Sequence, residues 1–170
     1  MGRHLSLICA VVTFVMSPLA VAEAIAGDQI NPLRLYGDGI DFDVIRKGET
    51  IGAHAVRFDH DANGWNVRSL FELEVRFLAF FAFRYRYEAD ARWVKGELHR
   101  LRTNTNDDGE RFSMLATRSG DRMQIRLKEK TYSTEAPIIP TNHWNADVLG
   151  QKRVLNTLTG NVNNVTLVAK

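Results

Sequence analysis

Apolar and polar residues alternate along two long stretches of this sequence, and a period of two is typical of a β-strand that buries one face. From Phe81 to Trp93 every odd-numbered residue is Phe, Tyr, Ala or Trp, while every even-numbered residue from Arg84 to Arg92 is charged. The same alternation runs along most of residues 65–77. Because five charged side chains cannot be buried together cheaply, we expect the odd-numbered residues to face the core.

Short polar turns separate these stretches and determine how the strands pair. Connections of a few residues join neighbouring strands antiparallel, because a parallel crossover needs about a dozen residues or more. The sequence therefore predicts a mainly β fold, an antiparallel meander of about seven strands curled into a barrel or half-barrel. The turns that support this prediction lie at Lys47-Gly48, 59–64, Lys95-Gly96, 106–109 and 119–121.

The segment after Lys128 has a different character. Residues 135–142 contain Pro137 and Pro140, which we expect to exclude both helix and strand pairing. The elements predicted beyond this loop are one short helix near the C-terminus, within 146–151, and two final strands, 154–157 and 162–168.

The polar cluster from Thr103 to Arg111 could be a cation site or a turn. It places two Asn and two Asp residues just before Gly109. A calcium loop of the EF-hand type needs ligands at alternating positions and a late bidentate Glu, whereas Glu110 follows Gly109 directly and a strand comes next. Asn, Asp and Gly are also the residues that tight turns favour. We therefore predict a hairpin here.

The N-terminus has the features of a signal peptide. Residues 5–16 are almost wholly apolar, and small residues at Ala20 and Ala22 match the pattern that signal peptidase recognises. Cleavage after Ala22 is predicted, with cleavage after Ala24 as the second choice and an uncleaved membrane anchor as the alternative. We expect residues 1–22 to be the signal peptide, residues 35–170 to form a single β-rich domain, and the mature protein to be periplasmic or secreted, without a membrane span.

Charge and cysteine content narrow the range of partners and cofactors. Removing residues 1–22 takes Arg3, one of 22 basic residues, and none of the 20 acidic ones, which leaves a formal charge of +1. A nearly neutral chain is not expected to bind nucleic acid by electrostatic attraction. Cys9 is the single cysteine and leaves with the signal peptide, so no disulfide or thiolate site is expected. No cofactor and no metal are predicted, because no histidine has a His or Cys partner at ligand spacing.

Catalytic motifs are sparse. No serine lies in a Gly-x-Ser-x-Gly elbow, and no glycine-rich phosphate loop is present. Glu88 and Asp90 share a strand face with arginines, which favours a salt-bridged outer face over a catalytic pair. His143 and Asn145 follow the proline-containing loop, so a hydrolase-type enzyme with its site there is an alternative. The other interpretation of this segment is that Trp144 plugs the open end of the barrel and Asn145 caps the short helix.

The aromatic face of the second stretch is the most suggestive feature. Phe81, Phe83, Tyr85, Tyr87 and Trp93 can form plain core, line a ligand cavity or meet a partner protein. Buried tyrosine hydroxyls need partners and often lie at the wet mouth of a cavity, and small β-barrels can hold one small apolar ligand. The residues that we predict to bind a ligand are Tyr85, Tyr87, Trp93, His143, Trp144 and Asn145.

Several short motifs occur in a fixed order from about Leu35 onward. They include Phe42-Asp43-Val44, Ile51-Gly52, Tyr85-Arg86-Tyr87, Arg92-Trp93, Thr105-Asn106-Asp107-Asp108-Gly109, Trp144-Asn145 and Leu155-Asn156-Thr157-Leu158-Thr159-Gly160. In these motifs the chain resembles a domain-of-unknown-function family (domain of unknown function 6134) of exported, β-rich proteins from Gram-negative bacteria. The resemblance implies an envelope location and a mostly antiparallel fold, and it implies no reaction. In relatives, further strands usually follow the segment that matches residues 162–168, whereas this chain stops at Lys170. As a short variant or a truncated reading frame, it is expected to expose an unpaired edge strand to another chain.

Together these observations predict an exported, non-catalytic protein that binds an apolar or amphipathic, lipid-like small molecule in a curled antiparallel sheet. The alternatives are the hydrolase-type enzyme and a structural or interaction protein that pairs through its C-terminal edge strand.

Overall fold

The protein is described by a computed structural model that covers residues 31–77, 80–141 and 144–166. The predicted signal peptide therefore lies outside the described residues. Strands dominate the described chain, and they form one large and one small sheet. The strands are β1 (Gly39–Arg46), β2 (Glu49–Asp61), β3 (Gly64–Phe77), β4 (Phe80–Val94), β5 (Glu97–Asp107), β6 (Glu110–Ser119), β7 (Arg122–Leu127), β8 (Lys130–Glu135), β9 (Ile139–Pro140), β10 (Arg153–Leu155) and β11 (Val162–Asn164).

The large sheet is the predicted meander. Its eight strands lie in the order β1 to β8, and each pairs antiparallel with the next. The mainly β, antiparallel fold is thus confirmed. The eighth strand, β8, was not predicted, because Lys130–Glu135 is almost wholly polar and lacks the alternation that marks the other strands. It can be polar because it is an edge strand with one neighbour.

The closed-barrel form of the prediction is not found. Among the described strands no ladder joins β1 to β8, so the large sheet has two free edges. Short turns determine which strands are neighbours in a meander. They leave undetermined whether the first strand meets the last, which depends on strand tilt and register.

The small sheet has the order β11-β10-β9, with β9 and β10 parallel. The expectation that the prolines exclude strand pairing was wrong for Pro140, which pairs in register with Leu155. The next residue, Thr141, donates its backbone N–H to the Leu155 carbonyl at 2.9 Å. Proline is tolerated here because β9 is a two-residue edge strand, where a missing N–H costs no ladder bond.

Two short helices complete the described chain. The predicted C-terminal helix is a 3₁₀ helix, Ala146–Gly150, and the Asn145 side chain caps it by accepting from the Asp147 N–H at 2.9 Å. Helix α1, Pro32–Tyr36, was not predicted, since five residues are too few to show periodicity. Tyr36 joins α1 to the core, because its hydroxyl donates to the Trp144 carbonyl oxygen at 3.0 Å. No helix in 31–77, 80–141 or 144–166 has the length and apolarity needed to cross a bilayer.

The core lies between one face of the large sheet and the C-terminal segment. The opposite face of β4 is charged, as predicted: Arg86 pairs with Glu72 and Glu88, and Arg92 contacts Asp61 at 2.6 Å. The Arg92 guanidinium lowers the pKa of Asp61, which suits a solvated ion pair. The buried residues of this core cluster are Val56, Phe58, Val67, Ala91, Trp93, Leu98, Leu101, Met114, Ala116, Met123, Ile125, Ile138, Ile139, Trp144 and Leu155.

The polar cluster at 103–111 is a hairpin, as predicted. Strand β5 ends at Asp107, β6 begins at Glu110, and the two residues between them have positive φ, 50° for Asp108 and 100° for Gly109. Positive φ at both central residues is typical of the primed turns that join antiparallel strands. The Asn106 side chain accepts from the Gly109 N–H at 2.9 Å and closes the turn.

A candidate ligand-binding cavity

A cavity of about 530 Å³ lies between the large sheet and the C-terminal segment. Strands β2 to β5 supply one wall, and the C-terminal segment supplies the other through residues 140–141, 144 and 156–158. The described residues that line it are His54, Val56, Val67, Ser69, Phe71, Leu73, Phe83, Tyr85, Tyr87, Ala89, Ala91, Trp93, Leu101, Pro140, Thr141, Trp144, Asn156, Thr157 and Leu158.

Small side chains in the middle of the sheet make room for this cavity. Across β3 and β4, Ser69 pairs with Ala89 and Val67 pairs with Ala91. The rows on either side are larger: Phe71 pairs with Tyr87, and Trp65 pairs with Trp93. Since a well-packed core leaves few voids, a row of short side chains between aromatic rows leaves space that neither neighbour fills.

The cavity runs from the core towards one end of β4. At its inner end Trp93 is only 2% exposed and Ala91 7% exposed. Tyr87, Tyr85 and Phe83 follow along the strand and are half-buried. Leu158, 39% exposed, also lines the cavity and is an apolar residue that remains accessible to solvent. The inner end is therefore buried, and the outer end is open to solvent.

The second wall is held to the sheet by specific hydrogen bonds. Thr103 of β5 donates its hydroxyl to the Thr157 carbonyl at 3.2 Å. Tyr132 of β8 donates to the Gly160 carbonyl. Within this segment, Asn156 accepts from the N–H groups of Leu158 at 2.9 Å and Thr159 at 3.0 Å, which shapes a local turn. The sequence did not predict this wall, although an Asn followed by Thr and Gly is a recognisable turn signal.

The pKa values of Tyr85 and Tyr87, the two tyrosines that line the cavity, are raised. Burial raises the pKa of Tyr87 to about 12, while a hydrogen bond with the Thr157 side chain acts in the opposite direction. Burial also raises the pKa of Tyr85, and the negative charge of Asp107 adds to that effect. Both phenols are thus protonated near neutral pH and can donate a hydrogen bond as well as accept one.

Two aromatic rings close the inner end. Trp93 and Trp144 lie edge to face with ring centroids 5.4 Å apart, and Trp144 makes a similar contact with Phe58, also at 5.4 Å. The Trp93 Nε1 atom is buried and has no hydrogen-bond partner among the described residues. An unsatisfied buried donor costs about 1–3 kcal/mol, so it is unusual in a core. Thr105 Oγ1 on β5 is in the same situation.

Four of the six residues predicted to bind a ligand lie together at this cavity: Tyr85, Tyr87, Trp93 and Trp144. Trp144 packs against the rings of Phe58 and Trp93 at the inner end of the cavity. The interpretation from sequence was that Trp144 plugs the open end of a barrel. Asn145 is 4% exposed and caps the 3₁₀ helix, and it is not among the described residues that line the cavity. His143 lies outside the described residues.

Charged groups are missing from the described lining, which includes no Asp, Glu, Lys or Arg. His54 of β2 is the single imidazole there; it lies edge to face with Phe71, with ring centroids 5.8 Å apart. Within the described ranges, no three His, Cys, Asp or Glu side chains are arranged to hold a metal ion. The described lining therefore offers apolar contact together with the hydrogen-bonding groups of its Ser, Thr, Tyr, Asn and His side chains.

Comparison with known proteins places the chain in a family. Residues 42–170 match the family described as "Domain of unknown function (DUF6134)". No curated protein and no solved structure matches the sequence. The matched region is well over half of the chain and includes most of the sheet and both walls of the cavity. The protein is therefore a member of the DUF6134 family.

Proposed function

We propose that this protein is an exported, non-catalytic binding protein that holds an apolar or amphipathic small molecule in the cavity. The large sheet would curl around the ligand as a half-barrel, with residues 140–141, 144 and 156–158 as the opposing wall. The observation that carries the proposal is the cavity itself: about 530 Å³ of space beside the core, lined mainly by apolar side chains. Pockets for small ligands are commonly about 300–1,000 Å³ and mostly apolar.

The distribution of side-chain size supports binding over plain core packing. Ser69, Ala89 and Ala91 occupy adjacent positions on β3 and β4 where larger residues would fill the space. An empty apolar void lowers stability, because the atoms around it lose packing contacts. A ligand would restore those contacts and offset the cost of the short side chains.

The predicted signal peptide supports a location in the periplasm or outside the cell. An exported binding protein without a charged cavity lining suits a ligand that is poorly soluble in water. The periplasm is therefore the compartment from which the protein should be purified with its natural ligand.

Binding of N-phenyl-1-naphthylamine, a neutral apolar dye that fluoresces in apolar surroundings, tests the proposal. The purified mature protein should bind the dye saturably, with roughly one site per chain. Ala89→Leu should abolish this binding, because the larger side chain occupies the space opposite Ser69. Its folding stability should be maintained, since filling an apolar void adds packing contacts.

Ala53→Leu is the matched control, because it adds the same atoms to an exposed position of β2. This variant should bind the dye as the wild type does. A wild-type protein that binds no dye, or an Ala89→Leu variant that binds it undiminished, would exclude this cavity as the site. If the dye binds as expected, mass spectrometry of lipids that co-purify from the periplasm would identify the class of the natural ligand.

The hydrolase-type alternative predicts a different result. Ester substrates incubated with the protein would be converted to acid and alcohol, and conversion would be lost in His143→Ala. Turnover of that kind would replace the binding proposal with an enzymatic one.

A further inference from the structure

We propose that the ligand is a cationic amphiphile, bound with its hydrocarbon part in the cavity and its ammonium group at the outer end, beside Tyr85 and Asp107. This inference rests on the proposed function and specifies the class of head group that the site selects. It combines three features of the outer end: a carboxylate without an ion pair, a phenol that a ligand can reach, and aromatic rings.

The carboxylate belongs to Asp107, the last residue of β5. Asp107 pairs in register with Tyr85 of the cavity lining. Thr103 and Thr105, at alternate positions of β5, are only 2% and 4% exposed, and alternate side chains of a strand point to the same face. Asp107 therefore lies on the cavity face, one strand away from Tyr85. Burial raises the pKa of Tyr85 and the negative charge of Asp107 adds to that effect, which agrees with this placement.

Nearby cations do not neutralise Asp107, which is exposed and forms no ion pair with a described residue. Its register partner on β6, Glu110, is also acidic and pairs with Lys128 at 3.6 Å. Arg84 of β4 contacts Glu74 at 3.1 Å on the opposite, charged face of the sheet. The described groups at the outer end thus attract a cation and repel an anion.

Two aromatic residues supply the rest of the head-group site. Tyr85 and Phe71 both line the cavity, and their rings lie edge to face with centroids 5.8 Å apart. The Tyr85 hydroxyl has no hydrogen-bond partner within the described ranges and is not one of the buried atoms in that situation, so a ligand can reach it. Aromatic ring faces attract cations, and a phenol oxygen can accept a hydrogen bond from an ammonium group.

The cavity fixes the direction in which such a molecule binds. The inner end, at Trp93 and Ala91, is buried and has no counter-charge in the described lining. An ammonium group placed there would lose its hydration without gaining a partner, which is strongly unfavourable. At the outer end it stays in contact with water and lies near Asp107, while the hydrocarbon part extends inwards past the short side chains of Ser69 and Ala89.

The test compares three probes that share a decyl chain and differ in the head group: decylamine, 1-decanol and decanoate. At about pH 8 the amine is protonated and the carboxyl is ionised. Each probe displaces N-phenyl-1-naphthylamine from the wild type, from Asp107→Asn and from Asp121→Asn. Asp121 is the matched control, because it is also exposed but lies in the turn between β6 and β7, at the other end of β6.

We expect decylamine to bind the wild type about fivefold more tightly than 1-decanol, the effect of one exposed ion pair together with a cation–π contact. Asp107→Asn should reduce this ratio to about twofold or less, whereas Asp121→Asn should leave it unchanged. In the wild type, about 0.5 M NaCl should also reduce the ratio, because salt screens an exposed charge pair. Decanoate should bind the wild type more weakly than 1-decanol does.

Other outcomes overturn the inference in distinguishable ways. If the ratio is the same in the wild type, Asp107→Asn and Asp121→Asn, or does not respond to salt, Asp107 does not select the head group and the binding function remains. If decanoate binds the wild type as tightly as decylamine, the cationic class is wrong. If the dye and all three probes fail to bind, the proposed function fails and the inference fails with it.

Discussion

Ala89 of β4 lies directly opposite Ser69 of β3, and both short side chains line the same cavity. The next row towards the outer end pairs Phe71 with Tyr87, whose side chains are several times larger. The cavity therefore depends on two small residues in a face that is otherwise rich in aromatic rings. This contrast distinguishes the lining of the cavity from an ordinary sheet core, and it leads to predictions about single residues.

Tyr85→Ala should destabilise the protein only modestly. Tyr85 is half-buried at the outer part of the cavity, where its ring contacts Phe71 with centroids 5.8 Å apart. Truncating a fully packed aromatic residue costs about 3–5 kcal/mol, but here part of the space is already open, so we expect about 2 kcal/mol or less in urea unfolding. Dye binding should weaken in parallel. Trp144→Ala, at the buried inner end, should cost at least about 3 kcal/mol. Equal losses for the two variants would indicate solid core at Tyr85.

Tyr87 should make the protein less stable at high pH. Its pKa is raised from 10.0 to about 12, so the folded state holds the phenol proton more tightly than the unfolded state. This contribution is fully present below pH 10 and is lost as the pH rises through 12. Between about pH 9 and about pH 11 the free energy of unfolding should fall by about 1.3 kcal/mol through Tyr87 alone.

Tyr87→Phe provides the control for this pH dependence. In this variant the fall in the free energy of unfolding should be smaller by the contribution of Tyr87. The fall caused by other groups that ionise at alkaline pH should remain. Urea unfolding curves for both proteins at the two pH values measure the difference. A decline of the same size in Tyr87→Phe and the wild type would show that Tyr87 is not the group responsible.

The hairpin at 107–110 should tolerate loss of its charges. Asp108 accepts a hydrogen bond from the Arg84 N–H at 3.3 Å, and Asn retains an oxygen that can do the same. The double substitution Asp107→Asn and Asp108→Asn should therefore change stability by about 1 kcal/mol or less. Calcium should leave the melting temperature of the wild type unchanged. A calcium-dependent rise of several degrees, absent from the double variant, would show that the cluster is a cation site.

Gly109→Ala should destabilise the protein more than the double substitution of Asp107→Asn and Asp108→Asn. Gly109 has a φ of 100°, which an L side chain rarely adopts, although a Cβ at this position would have no atom within 4 Å. The cost, roughly 1–2 kcal/mol, would come from backbone strain alone. Gly150→Ala is the matched control, because its Cβ would also meet open space and its φ lies outside the left-handed region. Similar thermal stability of the two variants would argue against strain at Gly109.

Export should remove the N-terminal segment. Intact-mass measurement of protein recovered from the periplasm should give a chain that begins at Glu23, and replacing the small residues by Ala20→Leu with Ala22→Leu should leave the precursor uncleaved. A chain beginning at Ile25 would support the second cleavage site. A mature species that still carries Cys9 would contradict the signal-peptide prediction.

Alternation and turn residues predicted seven of the eight strands of the meander and the side chains that share a face. Alternation from Phe83 to Trp93 placed the aromatic residues inward and the arginines outward, as observed, because successive side chains of any strand point to opposite faces. The hairpin at Asp108-Gly109 was also predictable, since positive φ is a local property of a few residue types. For the same reason Tyr85, Tyr87 and Trp93 could be placed on one inward face from sequence alone, whereas core packing, cavity lining and partner contact all remained open for that face.

The segment that covers that face is held there by contacts between residues far apart in the sequence. Thr103 contacts Thr157 across 54 positions, and Tyr36 reaches Trp144 across 108. Alternation with a period of two residues indicates which side chains point the same way. It carries no information about a distant segment that packs on them. Whether Ser69 and Ala89 meet a large side chain or open space likewise depends on that segment. The cavity thus results from long-range packing, whereas the face that lines it is a consequence of local sequence.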